Sequence, residues 1–269
     1  MKPPPIRCAS VFVLLVGLVA ACSSASGGRS NPPKIELTVY AAASLKGALE
    51  AVKTAYAAAT PAVTLTIATD SSSTLRTQIE QGAPADVFLS ADESNPNQLV
   101  DAGLADAAAV AFAATTLVVI VPIANPARIA TPADLAKEKI KIIAAGAEVP
   151  ITKYAAQAVA NLARQPGYPA GFAAGYDANV VSREDNIKAV GAKIELGEGD
   201  AAIVYATDAK ASTRVTPIEI PPAAKVTATY SGVVLRASAR RDATHAFLTW
   251  LAGPSGHAVL STFGFVPPS

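Results

Sequence analysis

The hydrophobic positions along the chain switch repeatedly between two spacings. Ile35, Leu37 and Val39 alternate with polar residues, which is the pattern of a β-strand with one buried face. Immediately afterwards, over residues 45–56, the apolar positions recur every three to four residues, as on one face of an α-helix. The segment therefore predicts a strand that turns directly into a helix.

This alternation of strand and helix continues to the C-terminus and predicts an α/β fold. The predicted strands cover residues 35–40, 63–68, 86–90, 116–121, 140–144, 201–205, 215–220 and 227–236. The predicted helices cover residues 45–59, 73–81, 96–102, 132–137, 152–164, 186–195, 241–251 and 254–263. The segments rich in proline and glycine, 126–132 and 165–176, are predicted to be surface loops.

The first 33 residues have the pattern of an exported bacterial lipoprotein. Lys2 and Arg7 precede an apolar run that is too short for a comfortable membrane span, so residues 1–21 are predicted to be a signal peptide. Residues 19–22 resemble a lipobox, which would make Cys22 the lipidated N-terminus. The alternative is that Cys22 is an ordinary small residue near a signal-peptidase site. Residues 22–33 are rich in Ser, Gly and Pro, as in a flexible tether.

Composition and charge exclude several classes of function. The chain has 22 basic and 21 acidic side chains, and this near balance provides no positive field for nucleic acid. The other cysteine, Cys8, lies in the leader, so no disulfide or thiolate metal site is expected in the mature chain. The two histidines, His245 and His257, lie outside any metal-ligand spacing. A zinc enzyme is therefore not expected.

Ser44 lies where the first predicted strand gives way to the first predicted helix. The first turn of a helix leaves backbone N–H groups without partners and carries a partial positive charge. Small residues at 41–43 would let an anion approach, and Ser44 adds a hydroxyl donor. This pattern indicates an anion site. The alternative is that Ser44 only caps its own helix.

Similar turns follow later strands. A serine run at 71–73 begins the second predicted helix, where it forms either a second set of donors or a redundant cap. Pro150 suits the first position of a helix, which leaves the N–H groups of Ile151 and Thr152 free. Because the first and second of these turns lie side by side in a doubly wound sheet, Ser44 and the serine run can face one crevice at the carboxyl ends of the strands.

Two further candidates lie in the second half of the chain. Asp185 or Asn186 can cap the helix that follows, so that the N–H of Ile187 is free. Tyr205 ends a buried strand, and its hydroxyl can point into the same crevice, although a packed core tyrosine is the alternative.

Together these segments closely resemble the substrate-binding proteins of molybdate ABC transporters. The resemblance rests on residues 40–45, 71–75, 81–92, 148–150 and 203–205, and the Gly-Ala-Pro-Ala-Asp sequence at 82–86 is its most diagnostic part. It implies the two-lobed type II periplasmic-binding-protein fold, in which each lobe is a doubly wound sheet with flanking helices. Lobe I is expected to comprise 34–115 and 225–269, and lobe II 116–224, with the ligand in the cleft between them.

The resemblance also implies the ligand and its contacts. Molybdate, and with it tungstate, would be held by five residues: Ser44 and Ser72 through hydroxyl and N–H, Ile151 and Ile187 through N–H, and Tyr205 through its hydroxyl. Asn186 is an alternative to Ile187. The expected protein is a monomer without a cofactor, on the extracytoplasmic face of the membrane, that works with the permease and ATPase of an ABC transporter.

The alternative ligand is sulfate or another tetrahedral oxyanion. A site built only from donors disfavours phosphate, because the proton that phosphate carries at neutral pH needs an acceptor. An enzyme is not expected, because Ser44 and Lys46 do not share a helix face and no Gly-x-Ser-x-Gly turn is present.

Overall fold

The computed structural model describes residues 34–268, so the predicted signal peptide (1–21), the tether (22–33) and Cys22 lie outside the described residues. The strands are β1 Ile35–Ala42, β2 Val63–Asp70, β3 Val87–Ser90, β4 Val110–Pro122, β5 Ile142–Ala145, β6 Val180–Glu184, β7 Ala202–Tyr205, β8 Val215–Glu219 and β9 Thr227–Val234. The helices are α1 Lys46–Ala59, α2 Ser72–Glu80, α3 Ser94–Asp101, α4 Pro150–Leu162, α5 Phe172–Ala178, α6 Ile187–Glu195, α7 Ala206–Lys210, α8 Arg241–Ala252 and α9 Pro254–Thr262. Short 3₁₀ turns occupy Ala43–Leu45, Pro132–Ala136 and Pro222–Ala224.

The first part of the chain builds a mixed sheet. Strands β2, β1 and β3 run parallel, with Val39 opposite Ile67 on one side and Val87 on the other. Strand β9 returns antiparallel beside β3. The parallel strands all end at the same edge, so the turns that lead into α1 and α2 lie side by side there, as in a doubly wound sheet.

The long strand β4 joins two groups of strands. Its first half pairs with β9, and Thr116 lies opposite Thr227. From Leu117 onward it pairs with β7 and β8, and Leu117 lies opposite Tyr205. The partners of β4 therefore change between residues 116 and 117. The division into lobe I and lobe II stays a prediction.

Strands β5 and β6 form a short parallel pair, which an isolated bridge between Ile142 and Ala201 links to the start of β7. The carbonyl of Glu184 accepts a hydrogen bond from Gly146 N at 2.8 Å. The turns that follow β5 and β6, which lead to α4 and α6, are therefore neighbours.

Most of the predicted elements are confirmed to within a few residues, but some predictions were wrong. Residues 165–176 are not simply a loop, because α5 begins at Phe172 and buries Phe172 and Tyr176, four residues apart. Strand β6 was missed because its half-buried positions include Ser182 and Glu184, so it has no apolar alternation. Residues 132–136 form a 3₁₀ turn rather than an α-helix, and α7 was not predicted.

One hydrophobic core cluster contains residues from both groups of strands, including Leu37 in β1 and Val204 in β7. Near the C-terminus, Tyr56 of α1 contacts the rings of Phe247 and Trp250 of α8 edge-on. Within residues 34–268, no helix is both long enough and apolar enough to cross a membrane.

Candidate functional site

Ser44 lies in the 3₁₀ turn between β1 and α1 and is 6% exposed. Its side chain does not cap α1, whose N-cap is Leu45. Instead, its Oγ accepts a hydrogen bond from the hydroxyl of Tyr230 in β9 at 2.9 Å. The capping interpretation of Ser44 is therefore wrong, and its hydroxyl is held by a strand 186 residues further along the chain.

Ser71 and Ser72 make different hydrogen bonds. Ser71 is the N-cap of α2 and accepts a hydrogen bond from Thr74 N at 3.2 Å. Ser72, the first residue of α2, is only 1% exposed, and its Oγ accepts a hydrogen bond from Ala91 N, just after β3, at 3.1 Å. Only Ser71 is thus needed as the cap, and Ser72 is held from a neighbouring strand.

The hydrogen bonds that Ser44 and Ser72 accept also orient their own hydroxyl groups. A serine hydroxyl has one hydrogen to donate and can accept through its oxygen. In Ser44 and Ser72 the oxygen already accepts a hydrogen bond from within the protein. Each hydroxyl hydrogen must therefore point away from that donor, and each serine can donate to a ligand.

Ile151 is the second residue of α4, directly after Pro150, and its side chain is buried. Its N–H belongs to the first turn of the helix, which has no acceptor in the preceding turn. The N–H of Thr152 is not free as expected, because it donates to the carbonyl of Val149 at 2.9 Å, and the Thr152 hydroxyl donates to the carbonyl of Gly146 at 2.7 Å.

Ile187 is the first residue of α6, and Asn186 is its N-cap. The side-chain oxygen of Asn186 accepts a hydrogen bond from Ala189 N at 3.1 Å, and its amide nitrogen donates to Asp70 Oδ1 at 3.4 Å. With Asn186 occupied as the cap, Ile187 offers the first-turn N–H. Asn186 also links the start of α6 to the end of β2.

Tyr205 ends β7 and is 1% exposed. Its hydroxyl is buried and has no hydrogen-bond partner among residues 34–268. Burial raises the pKa of Tyr205 well above its usual value, with further contributions from Tyr230, Tyr154 and nearby carboxylates. The phenol is therefore neutral at physiological pH, and its hydroxyl hydrogen is available.

The structure brings several of the predicted residues together. The ring of Tyr205 contacts the ring of Tyr230, whose hydroxyl bonds to Ser44. Helix α6, which begins at Ile187, packs against the 3₁₀ turn that contains Ser44. Asp92 follows Ala91, whose N–H bonds to Ser72 Oγ, and the charge of Asp92 is one of the smaller contributions to the raised pKa of Tyr205. That these groups bind a ligand stays a prediction.

The hydrogen-bond partners of Ser44 and Ser72 are neutral groups. In the part of the chain that the structure describes, no Lys or Arg side chain bonds to Ser44, Ser72 or Tyr205. The nearby Lys188 is paired with Asp208 at 2.6 Å. Asp208 is buried, which raises its pKa, and its Oδ2 has no partner within residues 34–268.

A polar cavity of about 160 Å³ lies next to the starts of α2 and α4, and none of the five predicted contact residues lines it. It is bordered by Ser73, the neighbour of Ser72, and by Pro150, the neighbour of Ile151. Its charged lining residues are Arg76 of α2, Asp92 after β3, Glu148 before α4 and Lys153 of α4. The cavity therefore lies between the turn that carries Ser72 and the turn that carries Ile151.

Sequence reasoning missed Tyr230 and the N–H of Ala91. Tyr230 alternates with other buried positions of β9 and resembles any core tyrosine, so no local signal marks it. The N–H of Ala91 is a backbone group, which a side-chain pattern cannot indicate.

Comparisons with known proteins identify the family. The model for bacterial extracellular solute-binding proteins matches residues 37–266. The chain belongs to this family. Because the members of this solute-binding family are not enzymes, the expectation of a non-enzymatic protein is confirmed. The fold is that of type II periplasmic binding proteins, as expected from the sequence.

Among the similar proteins is the molybdate-binding protein ModA of Mycobacterium tuberculosis H37Rv. It is 31% identical over 270 residues, which cover 96% of each chain. A solved structure of the periplasmic molybdate-binding protein of Azotobacter vinelandii aligns with a TM-score of 0.73 at 24% identity, covering 87% of this solute-binding protein and all of that chain. The sulfate-binding protein SubI of M. tuberculosis aligns with a TM-score of 0.76 at 20% identity, covering 87% of each chain. The two structural matches support the fold.

Proposed function

We propose that this solute-binding protein captures molybdate, and with it tungstate, and delivers the anion to the permease of an ABC transporter. The observation that carries the proposal is the buried, unpartnered hydroxyl of Tyr205, whose ring contacts that of Tyr230, the hydrogen-bond partner of Ser44. A buried polar group without a partner costs about 1 to 3 kcal/mol. A ligand that accepts its hydrogen bond would remove that cost.

The proposed ligand contacts are Ser44, Ser72, the N–H groups of Ile151 and Ile187, and the Tyr205 hydroxyl. All five residues are nearly fully buried. These donors are neutral, so the negative charge of the anion would be stabilised by dipoles and helix N-termini. The relative named ModA supports molybdate as the ligand of such a site.

Closure of two lobes around the anion is part of the proposal. Ser44 and Ser72 belong to lobe I, whereas Ile151, Ile187 and Tyr205 belong to lobe II. The anion would complete its hydrogen bonds only when the lobes come together, so its binding energy would stabilise the closed form. The permease would then recognise that form. The contact between Asn186 and Asp70 is one link that closure would make or strengthen.

The experiment is isothermal titration of the purified protein, lacking residues 1–22, with molybdate, tungstate, sulfate and phosphate in separate runs. We expect one-to-one binding of molybdate and tungstate and no binding of phosphate. Sulfate binding of equal strength, or no binding of molybdate, would contradict the proposed ligand.

Attachment to the membrane is a separate part of the proposal. Cys22 would carry the lipid anchor, and residues 22–33 would tether a monomer to the extracytoplasmic face. In cells, Cys22→Ala should move the protein from the membrane fraction to the soluble extracytoplasmic fraction. An unchanged distribution would exclude the anchor, and light scattering of the purified chain would test the monomer.

A further inference from the structure

Asp208 is a buried carboxylate close to the proposed ligand contacts. It lies in the first turn of α7, three residues after Tyr205, and its side chain is 8% exposed. Its Oδ1 accepts a hydrogen bond from Lys188 Nζ at 2.6 Å, whereas its Oδ2 has no hydrogen-bond partner among residues 34–268. Lys188 is the second residue of α6, directly after Ile187. The pair therefore joins the segments that carry two of the proposed contacts, Ile187 and Tyr205.

The two charges of this pair differ in their surroundings. The side chain of Lys188 is 39% exposed, so its ammonium group lies nearer to solvent than the buried carboxylate of Asp208. Burial is the main cause of the raised pKa of Tyr230, and the charge of Asp208 is the next largest. Burial and the neighbouring tyrosines, then Asp208 and Asp92, raise the pKa of Tyr205, and Lys188 contributes to neither shift. The two phenols therefore experience the negative charge of the pair more strongly than the positive charge.

Unsatisfied buried groups are concentrated in this turn. Within residues 34–268, the buried side-chain polar atoms without a hydrogen-bond partner belong to Tyr205, Thr207 and Asp208. An ion pair that served only to stabilise α7 would use both carboxylate oxygens, because an unpaired buried acceptor costs free energy. Native proteins depart from full hydrogen bonding mainly at functional sites. The turn that contains Asp208 is therefore a candidate for a functional role.

We propose that Asp208 lowers the affinity of this site for doubly charged oxyanions and that Lys188 limits the penalty by partly neutralising it. The inference rests on the proposed binding of a tetrahedral oxyanion at the Tyr205 hydroxyl. An anion bound there would be repelled by Asp208, because a buried site screens like charges less than water does. The neutral donors would attract the anion, and Asp208 would keep the bound state from becoming too stable for release to the permease.

Other charged groups around Asp208 do not cancel its charge. Helix α7 packs against α6, β4, β7 and β8. On α6, Glu195 shares a small cavity with Asp208 and accepts a hydrogen bond from Ser212, so it adds a second negative charge. Strand β4 has no titratable side chain, β7 contributes only the tyrosine already described, and Glu219 of β8 pairs with Lys225. Lys188 is therefore the cation that faces Asp208 from these elements.

The test compares Asp208→Asn with the wild type in calorimetric titrations with molybdate at neutral pH. We expect the substitution to tighten molybdate binding about tenfold, because it removes a negative charge near the anion and keeps the size of the side chain. Asp177→Asn is the matched control, because it changes the net charge equally at an exposed position of α5, which carries none of the proposed contacts. Unchanged or weaker binding by Asp208→Asn, or an equal gain in Asp177→Asn, would overturn the inference.

Lys188→Met tests the same charge if Asp208→Asn does not fold. Without its partner, Asp208 should weaken molybdate binding in neutral and mildly alkaline buffer, where the carboxylate is ionised. The loss relative to wild type should shrink in mildly acidic buffer, because burial raises the pKa of Asp208 and the opposing effect of Lys188 is gone. If Lys188 attracted the anion directly, the loss would be the same in acidic and neutral buffer, and that result would contradict the role of Asp208.

The proposed function is judged separately, from the wild-type titrations. If the wild type binds sulfate rather than molybdate, the ligand proposal is wrong, and the comparison of Asp208→Asn with wild type, made with the doubly charged sulfate, still tests Asp208. If neither the wild type nor Asp208→Asn binds any of the four anions, both the proposed function and the inference about Asp208 are wrong.

Discussion

The rings of Tyr205 and Tyr230 meet edge-on, with centroids 5.6 Å apart and an interplanar angle of 62°. Tyr205 comes from β7 and Tyr230 from β9, which pair with opposite halves of β4. Their hydroxyls differ: that of Tyr230 donates to Ser44, whereas that of Tyr205 has no partner within residues 34–268. Tyr230 therefore positions the hydroxyl of Ser44, whereas the hydroxyl of Tyr205 remains available to a ligand.

The first prediction concerns Tyr205→Phe. Removing the unpartnered hydroxyl should weaken molybdate binding by about 1.5 to 3 kcal/mol, the range for a hydrogen bond to a charged group. The unliganded variant should be at least as stable as the wild type, because the wild type buries this hydroxyl unpaired. Calorimetric titration and urea unfolding measure the two effects. Wild-type affinity would exclude Tyr205 as a ligand contact.

Unlike Tyr205→Phe, Ser72→Ala should reduce the stability of the protein as well as its affinity for molybdate. It should weaken molybdate binding by about 1.5 to 3 kcal/mol and also lower the free energy of unfolding by about 1 to 2 kcal/mol, because the buried N–H of Ala91 loses its acceptor. The neighbouring Ser73→Ala is the control. If both substitutions reduce affinity equally, the hydroxyl of Ser72 has no special role.

The N–H of Ile187 can be removed without changing the course of the backbone. Proline is favoured at the first position of a helix, and the preceding Asn186 is extended, with φ −156° and ψ 167°, as a residue before proline prefers. Ile187→Pro should weaken molybdate binding by about 1.5 to 3 kcal/mol. Ile187→Ala, which also loses the buried side chain but keeps the N–H, is the control. Equal affinities of the two variants would exclude this amide.

The sequence predicts most of the fold because apolar spacing reports burial directly. It predicts β1 and α1 well, since Leu37 and Val39 face the core on one element and Leu49 and Val52 on the next. It fails at β6, where polar side chains occupy the half-buried positions. It also fails at α5, where the left-handed Gly171, with φ 79°, begins a helix inside a segment with a loop-like composition.

The candidate site was predictable only in part, because the sequence marks the turns but not the partners of their side chains. Turns at strand ends identify Ser44 and Ser72, but the orientation of their hydroxyls depends on partners from distant strands. Tyr230 is separated from Ser44 by 186 residues, and Ala91 from Ser72 by 19. Sequence patterns report which face of an element is buried and do not indicate which buried groups meet. The positions of the donors were therefore predictable, and the direction of each hydrogen bond was not.

Molybdate affinity should change little from neutral pH up to about pH 9.5. A phenol ordinarily loses its proton near pH 10, and burial raises the pKa values of Tyr205 and Tyr230 well above that. Both tyrosines therefore stay protonated, and the serine and amide donors do not titrate. Titrations across this range measure the profile. A steep loss of affinity in mildly alkaline buffer would indicate that a cationic side chain holds the anion.

The ion pair of Lys193 with Glu184 supports the turn that leads into α6. Its Nζ–Oε1 distance is 2.7 Å. Hydrogen bonds from Lys193 and Ser182 lower the pKa of Glu184 below its usual 4.5. An acid with a depressed folded-state pKa contributes stability that is present above its unfolded pKa and is lost as the pH falls through the folded value. The same pair raises the pKa of Lys193, so its contribution also disappears in strongly alkaline solution.

Lys193→Met should therefore lower the urea midpoint of unfolding at neutral pH, where both charges of the wild-type pair are present. The difference from wild type should shrink as the pH falls below 4.5 and through the lower folded-state pKa of Glu184, because the folded protein then loses the charge of Glu184. Lys193→Arg keeps the charge and is the control. A difference between Lys193→Met and wild type that is the same at neutral and acidic pH would show that Lys193 stabilises the turn by packing rather than by its charge.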